Sequence, residues 1–233
     1  MDEYRFFFGG FARRGRTTQR LRNPTYTAGE RGSVPWAIVS FWDERFMNAF
    51  ERLLCSSSLW RHLTERHLLP RILSGACLGD HLLELGAGYG AATCLLRSKI
   101  ARVTSLEYDL NSLLKGKLDN EQKAADAVCG DASQLPFADQ TFSSALAILV
   151  LHHLNTAQLQ DRLFAECFRV LGPGGVFLAF DIPDGWLHRM AHIRSTFTPI
   201  DPVTVSARLA SAGFVRSRVE IRNGGFLLTA MRS

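Results

Sequence analysis

The chain predicts an α/β fold in which a mostly parallel, doubly wound sheet of seven strands is flanked by helices and closed by an antiparallel hairpin. Three observations predict it. Short apolar runs alternate with helix-sized segments from residue 79 onward, a glycine-rich turn joins the first run to a helix, and the last two runs meet at Asn223-Gly224. Strands that alternate with helices at this spacing lie parallel, with both faces of the sheet covered.

Residues 1–35 carry seven Arg against Asp2, Glu3 and Glu30, so this stretch holds +4 of the total charge of +5. With the cluster Arg13-Arg14-Gly15-Arg16 and no apolar periodicity, it reads as a disordered basic arm, a solvated tail in preference to a nucleic-acid ligand. Residues 36–78 read as two leading lid helices. Asp43 to Cys55 puts Phe46, Phe50, Leu53 and Leu54 on one helical face, and Ser58 caps a second helix carrying Leu59, Trp60 and Leu63 before Pro70.

The domain proper spans 79–233. Strands are predicted at His81 to Leu85, Arg102 to Glu107, Ala125 to Cys129, Ser144 to Val150 and Val176 to Asp181. Helices are predicted from the glycine turn to about Lys99, at Asn111 to Leu118 and at Thr156 to Leu171. Asp201-Pro202 then opens a helix, and Phe214 to Ile221 and Phe226 to Met231 form a hairpin around Asn223-Gly224.

Composition narrows the function classes. The longest apolar run, Ala145 to Leu151, is strand-sized and too short to span a membrane, and Asp2 and Glu3 break any signal-peptide pattern, so a cytoplasmic protein is expected. Cys55, Cys77, Cys94, Cys129 and Cys167 are odd in number and scattered, which argues against a disulfide framework or a zinc ribbon.

The chemistry concentrates around Gly86-Ala87-Gly88-Tyr89-Gly90, a turn whose glycines let the backbone bend sharply and approach a ligand. Ala91 completes the looser dinucleotide pattern, so a nicotinamide-dependent oxidoreductase must be weighed, although no Tyr-x-x-x-Lys pair for hydride transfer occurs. Glu84 is an acid inside the first strand, costly unless it meets a cation such as the amino group of an amino-acid-bearing cofactor. Glu107, at the end of the second strand, is placed to accept from both hydroxyls of a ribose. Asp131, after the third strand, can accept from the amino group of an adenine.

Taken together, Leu83 to Gly90, Glu107, Gly130-Asp131-Ala132, Leu135-Pro136-Phe137, Leu151-His152-His153-Leu154 and Arg169 to Gly175 resemble the class I S-adenosylmethionine-dependent methyltransferases, in order, from Leu82 to Asp181. The phrases at 135–137 and 151–154 are similar to those of the small-molecule branch that includes quinone methyltransferases. The resemblance implies a Rossmann-like fold and S-adenosylmethionine as cofactor. It also implies that Glu84, Gly86, Ala87 and Gly88 face the methionine part, Glu107 the ribose, Tyr108 one face of the adenine, and Asp131 with Ala132 its amino edge. Where members often carry a polar residue near the end of the fourth strand, Ala147-Ile148-Leu149 is apolar, so Leu149 would offer only backbone groups.

The implied partner is a small, partly apolar methyl acceptor under the lid, with Trp42, Phe46, Phe50, Trp60, Trp186 and Phe197 as aromatic candidates for its pocket and plain packing as their ordinary role. His152 and His153 are the catalytic candidates, alongside Asp181, His188 and His192 as possible bases, and they compete with a reading in which the pair merely holds the turn. His188 and His192 stand four apart, but no zincin Glu and no third ligand accompany them, so no metal is expected. A non-catalytic cofactor-binding module acting through a partner is the remaining alternative.

Overall fold

The computed structural model describes residues 47–119, 126–222 and 224–233. The expected arm at 1–35 and the first part of the lid lie outside them, as do Trp42 and Phe46.

Seven strands form one sheet in the order β3-β2-β1-β4-β5-β7-β6. β1 is His81–Leu85, β2 Arg102–Glu107, β3 Asp126–Cys129, β4 Phe142–Ile148, β5 Leu171–Asp181, β6 Phe214–Arg222 and β7 Gly225–Arg232. The first five are parallel, and β7 runs antiparallel between β5 and β6. This is the doubly wound Rossmann-like arrangement with a closing hairpin that the alternation predicts.

The helices are α1 Ala49–Cys55, α2 Ser58–Leu63, α3 Leu69–Leu73, α4 Thr93–Lys99, α5 Leu110–Asp119, α6 Ala157–Val170, α7 Trp186–Ala191 and α8 Val205–Ser211. Strand pleating divides the core. Leu83, Leu85, Ala145, Phe177 and Phe226 meet α6 and α8 on one face. Leu82, Leu146 and Leu178 meet α3 and α4 on the other.

Several boundaries depart from the sequence expectation. α1 starts at Asn48, whose side chain accepts from the Glu51 N–H while the Glu51 carboxylate accepts from the Asn48 N–H. That capping box turns Glu51 inward, and the apolar face of the helix looks outward: Phe50 is 61% and Leu53 71% exposed. Ser57, not Ser58, caps α2, accepting from the Trp60 N–H at 3.1 Å. The chain does not stop before Pro70. A π-helical turn at Thr64–Leu68 leads into α3, with Pro70 in its first turn, where a missing N–H costs little.

β5 begins at Leu171, five residues earlier than expected. Phe142 pairs with Leu171 and Ser144 with Val176, so residues 172–175 bulge out of the ladder between those pairs. β4 ends at Ile148 because Leu149 turns left-handed, at φ +57°.

Two phrases of the sequence prove to be one structure. Arg169 grips both carboxylate oxygens of Glu166 at 2.8 Å and donates to the Phe137 and Leu135 carbonyls at 2.8 and 3.0 Å, while Glu166 accepts from the Leu135 N–H at 2.7 Å. The C-terminal turn of α6 thereby clamps the 135–137 loop. The Arg169 hydrogen bond holds the Glu166 carboxyl below its ordinary 4.5. Its stabilising contribution is thus present above pH 4.5 and is lost as pH falls through the lowered folded value. Arg169→Ala is expected to cost about 2 kcal/mol at pH 7, because it strands the carboxylate and two carbonyls. Its thermal unfolding midpoint should also fall less steeply with acid than that of the parent chain.

Candidate functional site

The carboxyl ends of β1, β2 and β3 carry the first half of the site. Gly86 and Ala87 both donate to the Leu106 carbonyl, at 2.8 and 3.1 Å, which carries the turn across toward β2. Gly86 and Gly88 have φ of +67° and +54°. A Cβ on Gly86 would stand 2.4 Å from Val150 Cγ2, whereas one on Gly88 would meet nothing within 4 Å. The first glycine is therefore demanded by the protein's own packing, while the second borders open space. Gly116 makes room too, since a Cβ there would lie 2.8 Å from the Tyr89 backbone, so its absence lets α5 approach the turn.

Glu84 is 4% exposed and accepts at one oxygen from Ser105 Oγ at 2.7 Å and Thr93 Oγ1 at 2.8 Å. Burial raises its carboxyl above the ordinary 4.5, opposed by those two hydroxyls. Glu107 is 8% exposed, and its two oxygens accept from the Gly88 N–H at 2.7 Å and the Asp109 N–H at 2.8 Å. Burial raises it as well, against the same backbone donors. The Glu107 carbonyl accepts from the Gly130 N–H at 3.0 Å, which brings the end of β3 alongside. Asp131 follows, exposed, with its carboxylate accepting from the Ser133 N–H at 2.8 Å. Tyr108 and Ala132 are half-buried at this edge, and the Tyr108 carbonyl accepts from the Cys129 thiol. Burial and the nearby Glu107 push the Cys129 thiol up to about 11.

The second half lies past β4 and β5. The Leu149 N–H donates to the Phe180 carbonyl at 2.8 Å, so its carbonyl is the backbone group left for a ligand. His152 is 2% exposed, and its Nδ1 lies 2.6 Å from Asp181 Oδ1. Asp181, fully buried, also accepts from the Leu151 and Ile182 N–H groups at 2.8 and 2.7 Å. The His153 ring lies tilted beside His152 with centroids 4.2 Å apart, and burial followed by the two neighbouring histidines drives its pKa well below the ordinary 6.5. His188 and His192 do not face one another as potential co-ligands. His188 Nδ1 donates to the Pro183 carbonyl and His192 Nδ1 to the His188 carbonyl.

The structure thus gathers Glu84, Gly86, Ala87, Gly88, Glu107 and Asp131 at the β1–β3 edge and Leu149, His152 and His153 at the β4–β5 edge. Sequence reasoning missed Thr93 and Ser105 as partners of Glu84, and Glu51, which joins His192 and Ser195 at 3.1 and 3.0 Å. The Asn48–Glu51 capping-box spacing was the one available signal for the last. Of the aromatic candidates, Phe50 and Trp186 are exposed, Trp60 is half-buried and Phe197 stacks on His192 at 4.7 Å. Among the described residues no helix is long and apolar enough to cross a membrane, and all five cysteines are free.

Residues 83–179 match a family described as a methyltransferase domain. An uncharacterized methyltransferase of Synechocystis is 34% identical over 123 residues, covering 52% of this chain and 57% of that protein. A demethylmenaquinone methyltransferase of Corynebacterium kroppenstedtii is 32% identical, covering 51% of this chain and 46% of the relative. The 24-methylenesterol C-methyltransferase 2 of Arabidopsis thaliana is 31% identical over 44% of this chain and 29% of the enzyme. The chain therefore spans about half or less of the length of these relatives. A solved protein of Pyrococcus horikoshii superposes with a TM-score of 0.66 at 18% identity, covering 77% of this chain and 94% of that one. A Haemonchus contortus phosphoethanolamine N-methyltransferase solved with S-adenosyl-L-methionine superposes with a TM-score of 0.59 at 14% identity, over 80% and 60% of the two chains. At these identities the superpositions establish the fold.

Because the folded chain holds the Glu84 proton more tightly than the unfolded chain, its stability should fall as pH rises from 4.5 through the raised folded value. Glu84→Gln keeps an acceptor for Ser105 and Thr93 and has no proton to lose. Urea titrations of the ligand-free chain across this range are expected to show a flatter profile for the variant, and a variant profile as steep as the parent's would contradict the assignment.

Proposed function

We propose that this chain, whose residues 83–179 match a methyltransferase domain, is a class I S-adenosylmethionine-dependent methyltransferase that binds its cofactor along the β1–β3 edge and transfers the methyl group to an oxygen, nitrogen or carbon of a small, partly apolar acceptor. One observation carries the reading: two buried carboxylates, Glu84 and Glu107, flank a glycine turn whose Gly88 borders open space.

The residues present suit the cofactor. Glu84 is a desolvated acid that accepts from two neutral hydroxyl groups, those of Ser105 and Thr93, and a cationic amino group, direct or through water, would complete it. The Glu107 carboxylate, already oriented by backbone N–H groups, keeps acceptor capacity that a ribose hydroxyl would use. Tyr108 and Ala132 would border the adenine, and Asp131 would accept from its amino group. When bound, S-adenosylmethionine supplies a methyl carbon on a sulfonium, displaced directly by the acceptor atom. The protein's contribution is then chiefly to align the two reactants and exclude water.

The acceptor side is the β4–β5 edge, where His152 and His153 are the groups next to a bound acceptor. α1 is tied to the segment after α7 by Asn48, whose side chain donates to the Ala191 and Ile193 carbonyls. Phe50 and Leu53 on α1 and Trp186, Leu187 and Met190 on α7 are exposed apolar groups on these covering elements. The relatives named for sterol and menaquinone chemistry support an acceptor with an apolar body.

Calorimetric titration tests the reading. S-adenosylmethionine should bind at one equivalent and NADH should give no response, whereas tight NADH binding without a response to S-adenosylmethionine would overturn it. Gly88→Ala should cost only about 1 kcal/mol of stability, the ordinary cost of a left-handed non-glycine residue, and yet weaken S-adenosylmethionine binding at least tenfold, because its methyl projects into the open space that the cofactor would fill.

A further inference from the structure

Beyond methyl transfer, we propose that His152, His153 and His192, with Glu51 as fourth ligand, form a site for one divalent transition-metal ion of the zinc class, where the β4 and β5 ends meet the start of α1.

Proximity is the first argument. One ring nitrogen from each histidine can be chosen so that all three lie within 4.8 Å of one another. Ligands about 2.0–2.1 Å from a tetrahedral ion stand about 3.3 Å apart, so closure moves each ring by about 1 Å. The rings are already packed together, with centroids 4.2, 5.0 and 5.5 Å apart.

Orientation is the second. Metal-binding imidazoles are commonly held by an oxygen acceptor at the nitrogen that does not bind. His152 Nδ1 has the Asp181 carboxylate at 2.6 Å, and His192 Nδ1 has the His188 carbonyl at 2.7 Å. His153 has a hydrogen bond with the Thr196 backbone. A carbonyl only accepts, so His192 Nδ1 carries a proton, and Nε2 is the nitrogen turned toward Glu51. The Asp181 carboxylate fixes His152 in the same tautomer.

The third argument is a charge that the arrangement requires. His192 Nε2 lies 3.1 Å from Glu51 Oε1, and the two side chains are each 9% exposed. With Nδ1 as donor, a neutral His192 sets its lone pair against a carboxylate oxygen, which is attractive only around a shared cation. Glu51 is held in place by the Asn48 N–H and by Ser195 Oγ at 3.0 Å. Phe197, stacked on His192, walls off one side. Three imidazoles and one carboxylate favour zinc, cobalt or nickel over magnesium or calcium. Such an ion would fasten α1 and the segment after α7 to the β4–β5 edge.

Cobalt and zinc are the probes. The full chain, stripped with a chelator and shown to remain folded by circular dichroism, should bind one equivalent of Co2+ with the intense visible absorption of a tetrahedral ion, and Zn2+ should displace it. His192→Ala and His153→Ala should each weaken binding about 100-fold or more, and Asp181→Asn about 10- to 100-fold. His188→Ala, which leaves the carbonyl that holds His192 intact, should not change it. X-ray absorption on the zinc-loaded parent chain needs no variant and should count three imidazole nitrogens and one carboxylate oxygen. Fewer than three imidazoles would overturn the proposal. So would a folded, stripped chain that takes up no cobalt, in which case the shared cation between His192 and Glu51 is a proton.

Discussion

One residue, Glu107, organises the β1–β3 edge of this protein. Glu107 sits at the end of β2 with an N–H on each of its oxygens, one from Gly88 in the glycine turn and one from Asp109 at the start of the next segment. Its own carbonyl receives the N–H of Gly130 beyond β3. Three successive strand ends are thereby tied to one residue, two through its carboxylate and one through its carbonyl. Burial opposes the charge that makes these hydrogen bonds strong, and the backbone donors offset part of that cost. The turn, the sheet edge and the proposed ribose contact are consequences of the same arrangement.

Asp181 repeats the device on the other half of the sheet. It is fully buried at the end of β5, and its oxygens accept from Leu151, Ile182 and His152. This fixes the short helical turn at Leu151–His153 and the tautomer of His152 together. A buried acid supplied with three donors is inexpensive compared with an unpaired one, and it holds its neighbours in a single geometry. The two acids divide the carboxyl edge into a half that carries the glycine turn and a half rich in imidazole.

Between these halves the framework is carried by hydrogen bonds that contact no ligand site. Arg169 and Glu166 clamp the 135–137 loop to the end of α6, which explains why the two phrases appear together: the arginine is the structural partner of the loop. The bulge at residues 172–175 then lets β5 rejoin β4 with the register that brings Phe180 opposite Ile148 and the Leu149 N–H onto the Phe180 carbonyl. Leu149 accepts a left-handed conformation there, a cost absorbed by the pairing around it.

The α/β alternation, the seven strands, the closing hairpin and the acids Glu84 and Glu107 were legible in the sequence, because strand and helix periods and a carboxylate inside an apolar run are local signals. Tertiary structure alone decided what those acids meet. Ser105 and Thr93 became partners of Glu84 only through the register of β2 against β1 and the docking of α4. The inward face of α1 is set by the capping box and the Glu51 contacts with His192 and Ser195, which a periodicity that counts Phe50, Leu53 and Leu54 does not register. The trio His152, His153 and His192 has no spacing that announces it. Residues far apart along the chain meet only after β4, β5 and the segment after α7 have packed, since side-chain convergence depends on strand order and loop path, which no local pattern encodes.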